Sequence, residues 1–141
     1  MQGDPETMYQ TFPWFHGEGF DLLLEDLRNL SKDRVVLAEG FRLLPHLVQA
    51  HLSEPRHAVW LLPTPNFRRA VFTNGEPAAA FWSRTTNPQQ ALANLLERDR
   101  IFTDAVADDV ARLGLRTLQV DDTRTVEEMA EALATAFAPL R

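Results

Sequence analysis

Apolar residues recur every three or four positions in several stretches of the chain, which is the spacing of one face of an α-helix. The ends of these stretches carry typical cap residues. Asp4, Thr64 and Asn87 each precede a proline that can begin a helix, and Thr125 with Glu128 forms a capping box. The pattern predicts helices over 5–12, 19–30, 41–52, 65–74, 87–113 and 125–137.

Three short apolar runs, 34–40, 57–62 and 115–120, have the composition of β-strands, the third being the least apolar. Strands that alternate with helices favour right-handed crossovers and a parallel sheet. We therefore predict a three-layer α/β fold, with a mainly parallel sheet and helices on both faces. The 141 residues would form one domain, with an N-terminal extension over 1–17 and a lid-like loop and long helix over 76–113.

Composition narrows the classes of function. The net charge of −6 disfavours electrostatic binding to nucleic acid or to an anionic membrane, and no apolar run approaches the length of a membrane span. The absence of cysteine excludes disulfides and thiolate chemistry. His46 and His51 are five positions apart and do not share one helix face, so we expect no metal site. The first ten residues lack a signal-peptide pattern, and we expect a cytoplasmic protein.

The sequence lacks the loop that grips phosphates in nucleotide hydrolases and kinases. That loop needs the pattern G-x-x-x-x-G-K-[ST], in which backbone amides and a lysine surround the phosphates. Lys32 is the single lysine, and no glycine lies near it. We therefore expect no phosphoryl transfer by this chain alone.

Charged residues at three places are candidates for a site. Glu39 follows the first predicted strand, where a carboxylate could hold a magnesium-bound water or accept a proton, or simply be a solvated cap. Asp99 falls on the apolar stripe of the long helix and is flanked by Arg98 and Arg100. A carboxylate there indicates either a structural ion pair or a cleft in which arginines meet an anion. Arg84, in a loop beside hydroxyl groups, could bind phosphate or be solvated.

In order and spacing, the chain resembles the C-terminal part of a bacterial P-loop kinase-like protein over roughly residues 10–138. The resemblance is carried by 34–40, by 58–65, by Arg84 with 94–100, and by 115–121 with the last helix. It implies an ATP-dependent phosphotransferase that acts on a small hydroxyl-bearing substrate, with ATP and magnesium as cofactors. It further implies that Glu39 faces the substrate or magnesium, that Arg84, Arg98 and Arg100 belong to a lid over the ATP phosphates, and that Asp121 and Asp122 lie beside adenine. We predict Glu39 and Asp99 as the catalytic residues.

The sequence departs from that family at its start, because the first strand, the phosphate loop and the second strand are missing. The strands 34–40 and 57–62 must then pair directly, or another segment or chain must fill the gap between them. Three hypotheses follow. The start codon lies upstream and the chain is part of a kinase; or it is a non-catalytic module that binds a small anion, a nucleotide or a protein; or it is an unrelated α/β domain. An exposed sheet edge would also favour a homo-oligomer.

Overall fold

The computed structural model describes residues 3–74 and 82–137. Six α-helices and two β-strands are described within these ranges. In chain order they are α1 (Pro5–Thr11), α2 (Phe20–Arg28), α3 (Pro45–Val48), β1 (Trp60–Pro63), α4 (Pro65–Asn74), α5 (Pro88–Leu113), β2 (Thr117–Val120) and α6 (Val126–Phe137). Two short 3₁₀ turns, Gln49–His51 and Pro55–His57, lead from α3 to β1. Part of the predicted lid, 76–81, lies outside the described residues.

The prediction of a three-layer α/β fold is wrong. The described chain is mostly helical, and its sheet has two strands, β1 and β2. The run 34–40 forms neither helix nor strand, and all its residues are exposed. A strand is stable only when its backbone groups pair with a neighbour, and the described residues offer this run no such neighbour.

Most of the predicted helices are confirmed, because their caps fix where they begin and end. The Asn87 side chain accepts a hydrogen bond from the Gln90 amide, and Gly114 ends α5 in the left-handed conformation, with φ of 65°. The helix predicted over 41–52 is shorter, because Pro45 occupies its first turn and so excludes the residues before it. Although α5 has 26 residues, no helix in the described ranges is long and apolar enough to cross a membrane.

The two strands run parallel, as predicted for them. Trp60 pairs with Thr117 and Pro63 with Val120. The ladder continues past the strand, since the Thr64 amide donates to the Val120 carbonyl over 2.9 Å. The carboxyl ends of both strands therefore meet at one edge, where α4 begins.

The hydrophobic core lies between α5, α3 and the sheet. Leu44, Val106 and Val110 are buried at its centre. Partly buried side chains surround them, namely Leu47, Trp60, Leu62, Phe102 and Leu115. The Trp60 indole donates to the Leu43 carbonyl over 2.8 Å, which fixes the segment before α3 against β1.

A charged contact also ties α3 to α5. Asp109 accepts hydrogen bonds from Arg112, on its own helix, and from His46 Nδ1, each over 2.8 Å. The Arg112 guanidinium, and after it His46, hold the pKa of the Asp109 carboxyl below its usual value.

Replacing Leu44 with alanine tests this core. Leu44 is 4% exposed, so Leu44→Ala should lower the free energy of unfolding by about 2–5 kcal/mol through lost burial and a cavity. Urea denaturation monitored by circular dichroism measures the change. Leu22→Ala is the control, because Leu22 is 68% exposed and its loss should change stability by no more than about 0.5 kcal/mol. Equal losses in the two variants would contradict this core.

The Asp109 contact predicts a dependence of stability on pH. Folding lowers the pKa of Asp109, so ionised Asp109 stabilises the folded chain. This stabilisation is fully present at a pH above the ordinary carboxyl pKa, and it is lost as the pH falls through the lowered pKa. Asp109→Asn should therefore be less stable than the parent chain at pH 7. The difference should shrink below about pH 4, where the parent carboxyl becomes protonated. Urea unfolding at both pH values measures it, and a difference that is constant with pH would contradict the ion pair.

Candidate anion-binding site

A cleft of about 290 Å³ opens beside the carboxyl end of β1, between α4 and α5. In parallel sheets this end of a strand is where ligands bind. The cationic side chains that line the cleft are Arg68, Arg69 and Arg100. We call it the arginine cleft.

The start of α4 builds one wall of the cleft. The Thr64 hydroxyl caps the helix by accepting from the Phe67 amide over 3.2 Å, and Pro65 occupies the first helical position. The hydrogen bond from the Thr64 amide to Val120 anchors this cap to the sheet. Arg68 and Arg69 follow within about one turn, so the strand end fixes where their side chains leave the backbone.

A buried carboxylate holds Arg68 in place. Asp99 is 6% exposed, and its two oxygens accept from two guanidinium groups: Oδ2 from Arg68 over 2.9 Å, and Oδ1 from Arg98 over 2.7 and 2.9 Å. Arg68 also donates to the Thr103 hydroxyl over 3.2 Å. Burial of a charge is costly unless it is paired, and here both partners are present. The structure therefore contains an ion pair of Asp99 with Arg68 and Arg98, which was one of the two interpretations of Asp99.

Arg98 turns away from the cleft and lies under aromatic side chains. Its guanidinium carbon is 4.7 Å from the centre of the Phe12 ring and 5.4 Å from that of Phe15. Phe15 in turn stacks on Phe102 with ring centres 4.3 Å apart. The segment after α1 thus covers one of the two arginines that neutralise Asp99, which leaves Arg68 as the arginine that reaches the cleft.

The other two arginines of the cleft differ in what they contact. Arg100 donates to Glu97 and to Asp104, and these carboxylates, Glu97 foremost, raise its pKa. Arg69 is exposed and, among the described residues, its side chain has no hydrogen-bonded or ionic partner. Its donors are therefore open to a ligand in the cleft.

The structure does not gather the residues that the sequence singled out into one site. Arg100 lines the cleft, but Arg98 lies two positions away, about 200° around the helix, and contacts the aromatic rings. Arg84 is exposed in the turn before α5, and Glu39 is exposed in the run 34–40. The catalytic and cofactor-binding roles given to these residues and to Asp99 stay predictions.

Asp121 and Asp122 lie just beyond β2. Asp121 accepts from the Thr123 hydroxyl, from the Thr123 amide over 2.9 Å, and from the Gln119 side chain over 2.8 Å. Hydrogen bonds from Thr123 and, to a smaller extent, from Gln119 lower the pKa of the Asp121 carboxyl to about 2. Asp121 therefore closes a turn with its own neighbours, and Asp122 is exposed beside it. Their predicted place near adenine stays a prediction.

Sequence reasoning missed Arg68 and Arg69. Both follow a strand end, an N-cap and a proline, which is a position from which a side chain can reach a ligand beyond the sheet. This position could have been recognised in the sequence. The pairing of Arg68 with Asp99 could not, because Asp99 is 31 positions away on another helix and no local pattern predicts the contact.

The residues of the cleft do not fit ATP with magnesium. Among residues 3–74 and 82–137 no group of three acidic or histidine side chains could hold a metal ion. The two carboxylates of the cleft, Glu97 and Asp104, both accept from Arg100. The volume of the cleft, about 290 Å³, is at the small end of the range for ligand pockets. No step through a bound metal or nucleotide follows from these side chains.

The buried charge predicts a large effect of Asp99→Asn. The substitution removes the negative charge that balances Arg68 and Arg98, and should lower the free energy of unfolding by about 3–5 kcal/mol. Urea denaturation measures this. Asp108→Asn on the same helix is the matched control, since Asp108 is exposed, and it should change stability little. If both variants unfold at the same urea concentration, Asp99 is not paired as described.

No family model, curated protein or solved structure matches this chain. Neither family membership nor function is therefore supplied by a relative, and the resemblance to P-loop kinases stays a prediction. What can be proposed of function rests on the geometry of the arginine cleft.

Proposed function

We propose that the chain binds a phosphate-bearing small molecule in the arginine cleft. We further propose that the chain belongs to a P-loop kinase-like protein, similar to ATP-dependent phosphotransferases that act on a small hydroxyl-bearing substrate, and that it does not transfer phosphate by itself. The first part is supported by the cleft, and the second by the resemblance in sequence order alone.

The observation that carries the proposal is the fixed position of Arg68. Asp99 and Thr103 each take one terminal nitrogen of its guanidinium, so the side chain is already ordered at the cleft wall. A mobile arginine loses conformational entropy when it binds a ligand. Because Asp99 and Thr103 already order Arg68, this loss on binding would be small. Arginine also presents its donors in a planar fork that matches the oxygens of a phosphate.

Arg69 supplies the second contact. Arg69 lines the same cleft, and its side chain has no hydrogen-bonded or ionic partner among the described residues. An anion could therefore pair with Arg69 without displacing a carboxylate from it. Arg100, by contrast, donates from all three guanidinium nitrogens to Glu97 and Asp104, whereas the Nε of Arg68 donates to no described residue. The cleft thus favours a small anion held by Arg68 and Arg69 beside the first turn of α4.

Catalysis by this chain alone is not part of the proposal. Phosphoryl transfer requires donors around all the phosphates of ATP, and none of the 141 residues forms the G-x-x-x-x-G-K-[ST] loop. A protein that binds one phosphate group through two arginines can hold a substrate or a product, but it lacks the groups that would stabilise transfer.

Inorganic phosphate and pyrophosphate are the probes that test the cleft. Calorimetry should show that the chain binds at least one of them, and that Arg69→Ala weakens the affinity about tenfold to a hundredfold, since a hydrogen bond to a charged group is worth about 1.5–3 kcal/mol. Arg28→Ala, which removes an exposed arginine from the end of α2, is the matched control and should bind as the parent does. Circular dichroism checks that both variants are folded.

Two results would overturn the proposal. Equal affinity in Arg69→Ala and Arg28→Ala would show that phosphate does not bind in the arginine cleft. Turnover of ATP by the purified chain, measured with magnesium and a mixture of sugars and nucleosides, would show that it transfers phosphate without the loop that we regard as necessary.

A further inference from the structure

The α5 wall of the arginine cleft carries a strip of charged side chains. Glu97, Arg100 and Asp104 line the cleft, and about two helical turns separate the first from the last, so all three leave one face of the helix over about 10 Å. Arg100 donates from Nε and Nη2 to Glu97, over 2.9 and 2.7 Å, and from Nη1 to Asp104. We call these three residues the acidic strip.

The acidic strip keeps a negative charge and an unused acceptor. Its two carboxylates share one guanidinium, so its formal charge is −1. The hydrogen bond from Arg100 lowers the pKa of the Glu97 carboxyl, which is therefore ionised at neutral pH. Asp104 accepts from Arg100 through Oδ2, and its Oδ1 accepts from none of the described residues. Because a carboxylate offers about four lone pairs to donors, Asp104 can also accept from a ligand in the cleft.

The α4 wall of the cleft has the opposite charge. Arg68 and Arg69 bring two positive charges to it. The negative charge of Asp99, which Arg68 contacts, is matched by the charge of Arg98, whose guanidinium lies against the ring of Phe12. The ion pairs of Asp99 therefore leave a formal charge of +2 on this wall, against −1 on the acidic strip.

We propose that the ligand of the arginine cleft is a small phosphate ester that carries an ammonium group, with its phosphate at Arg68 and Arg69 and its ammonium at the acidic strip. This inference rests on the proposed function and adds to it the chemical class of the ligand. A phosphate dianion and one ammonium group have charges that are opposite in sign and equal in size to those of the two walls. The parent alcohol of such an ester bears a hydroxyl group, as proposed above for the substrate.

Other phosphate ligands match the two walls less well. Inorganic phosphate pairs with the α4 wall but leaves the acidic strip without a cation. The hydroxyl groups of a sugar phosphate can donate to Asp104, but they do not balance its charge. An ammonium group does both. The carbon chain that joins it to the phosphate would meet apolar surface, because the cleft is also lined by Pro63, Pro65, Ala93 and Leu96.

Three phosphate esters of equal length test the ammonium group: 2-aminoethyl, 2-hydroxyethyl and propyl phosphate. At pH 8 the phosphate, with a second pKa of about 6, is a dianion and the amine is protonated. Calorimetry should show that the aminoethyl ester binds about threefold to tenfold more tightly than the other two, since one additional ion pair forms at a partly exposed site. The corresponding four-carbon esters repeat the comparison with a longer spacing, and the gain is expected at one length or both.

Variants of the two walls locate the two ends of the ligand. Asp104→Asn should reduce the gain from the ammonium group to less than about twofold, because the acidic strip then has no net charge. Arg69→Ala should weaken the binding of all the esters alike. Asp21→Asn is the matched control for Asp104→Asn, since it removes an exposed carboxylate from α2, and it should keep the full gain. Circular dichroism checks that the variants are folded.

The outcomes separate this inference from the function on which it rests. If no ester binds, or if Arg69→Ala leaves their affinities unchanged, both the inference and the proposed function fail. If Arg69→Ala weakens binding but the ammonium group brings no gain at either length, the inference alone is wrong and the cleft still binds phosphate. A gain that Asp104→Asn and Asp21→Asn leave equally large would also overturn the inference, because the ammonium group would then lie away from the acidic strip.

Discussion

The carboxylate of Asp99 is the constraint on which the arrangement of helices depends. A charge that is 6% exposed must be neutralised by groups brought to it, and both of its oxygens are met by arginines. Arg68 comes from α4, while Arg98 is held in place by the rings of Phe12 and Phe15 from the N-terminal segment. One side chain of α5 thus ties three parts of the chain together, and a neutral residue there would release two of them.

The ion pair of Asp99 contributes a large share of the stability of this fold, because the apolar core is small. Its centre consists of Leu44, Val106 and Val110, and the sheet beside it has two short strands. Sheets made only of parallel strands normally lie inside a protein with helices on both faces, since neither face tolerates water. In this chain α5 covers the sheet, whereas the apolar run 34–40 stays exposed. Contacts among helices must therefore supply stability that a larger sheet would otherwise provide.

The sequence predicted those features that are encoded locally. Asn87 and Gly114 fixed the ends of α5, and Thr125 with Glu128 formed the expected capping box, in which each residue accepts from the amide of the other. The run 34–40 has the composition of a strand but did not become one, because a strand also needs a neighbour and composition cannot show whether one exists. In the site, the position of Asp99 on an apolar stripe predicted either an ion pair or an anion-binding cleft, and the structure contains the ion pair. Its partner Arg68 could not be predicted, since it depends on how α4 packs against α5.

The same ion pair explains how a cleft can be ordered beside so small a sheet. The first turn of α4 rests on β1, which is held by hydrogen bonds to β2 on one side and, among the residues described, by no strand on the other. A strand supported on one side is a weak base for a binding site, because its end can shift with little loss of pairing. The bond from Arg68 to Asp99 bypasses the strand and fixes α4 directly to α5, the longest described helix and the one that carries the core. The geometry of the arginine cleft therefore depends on the contact between these two helices.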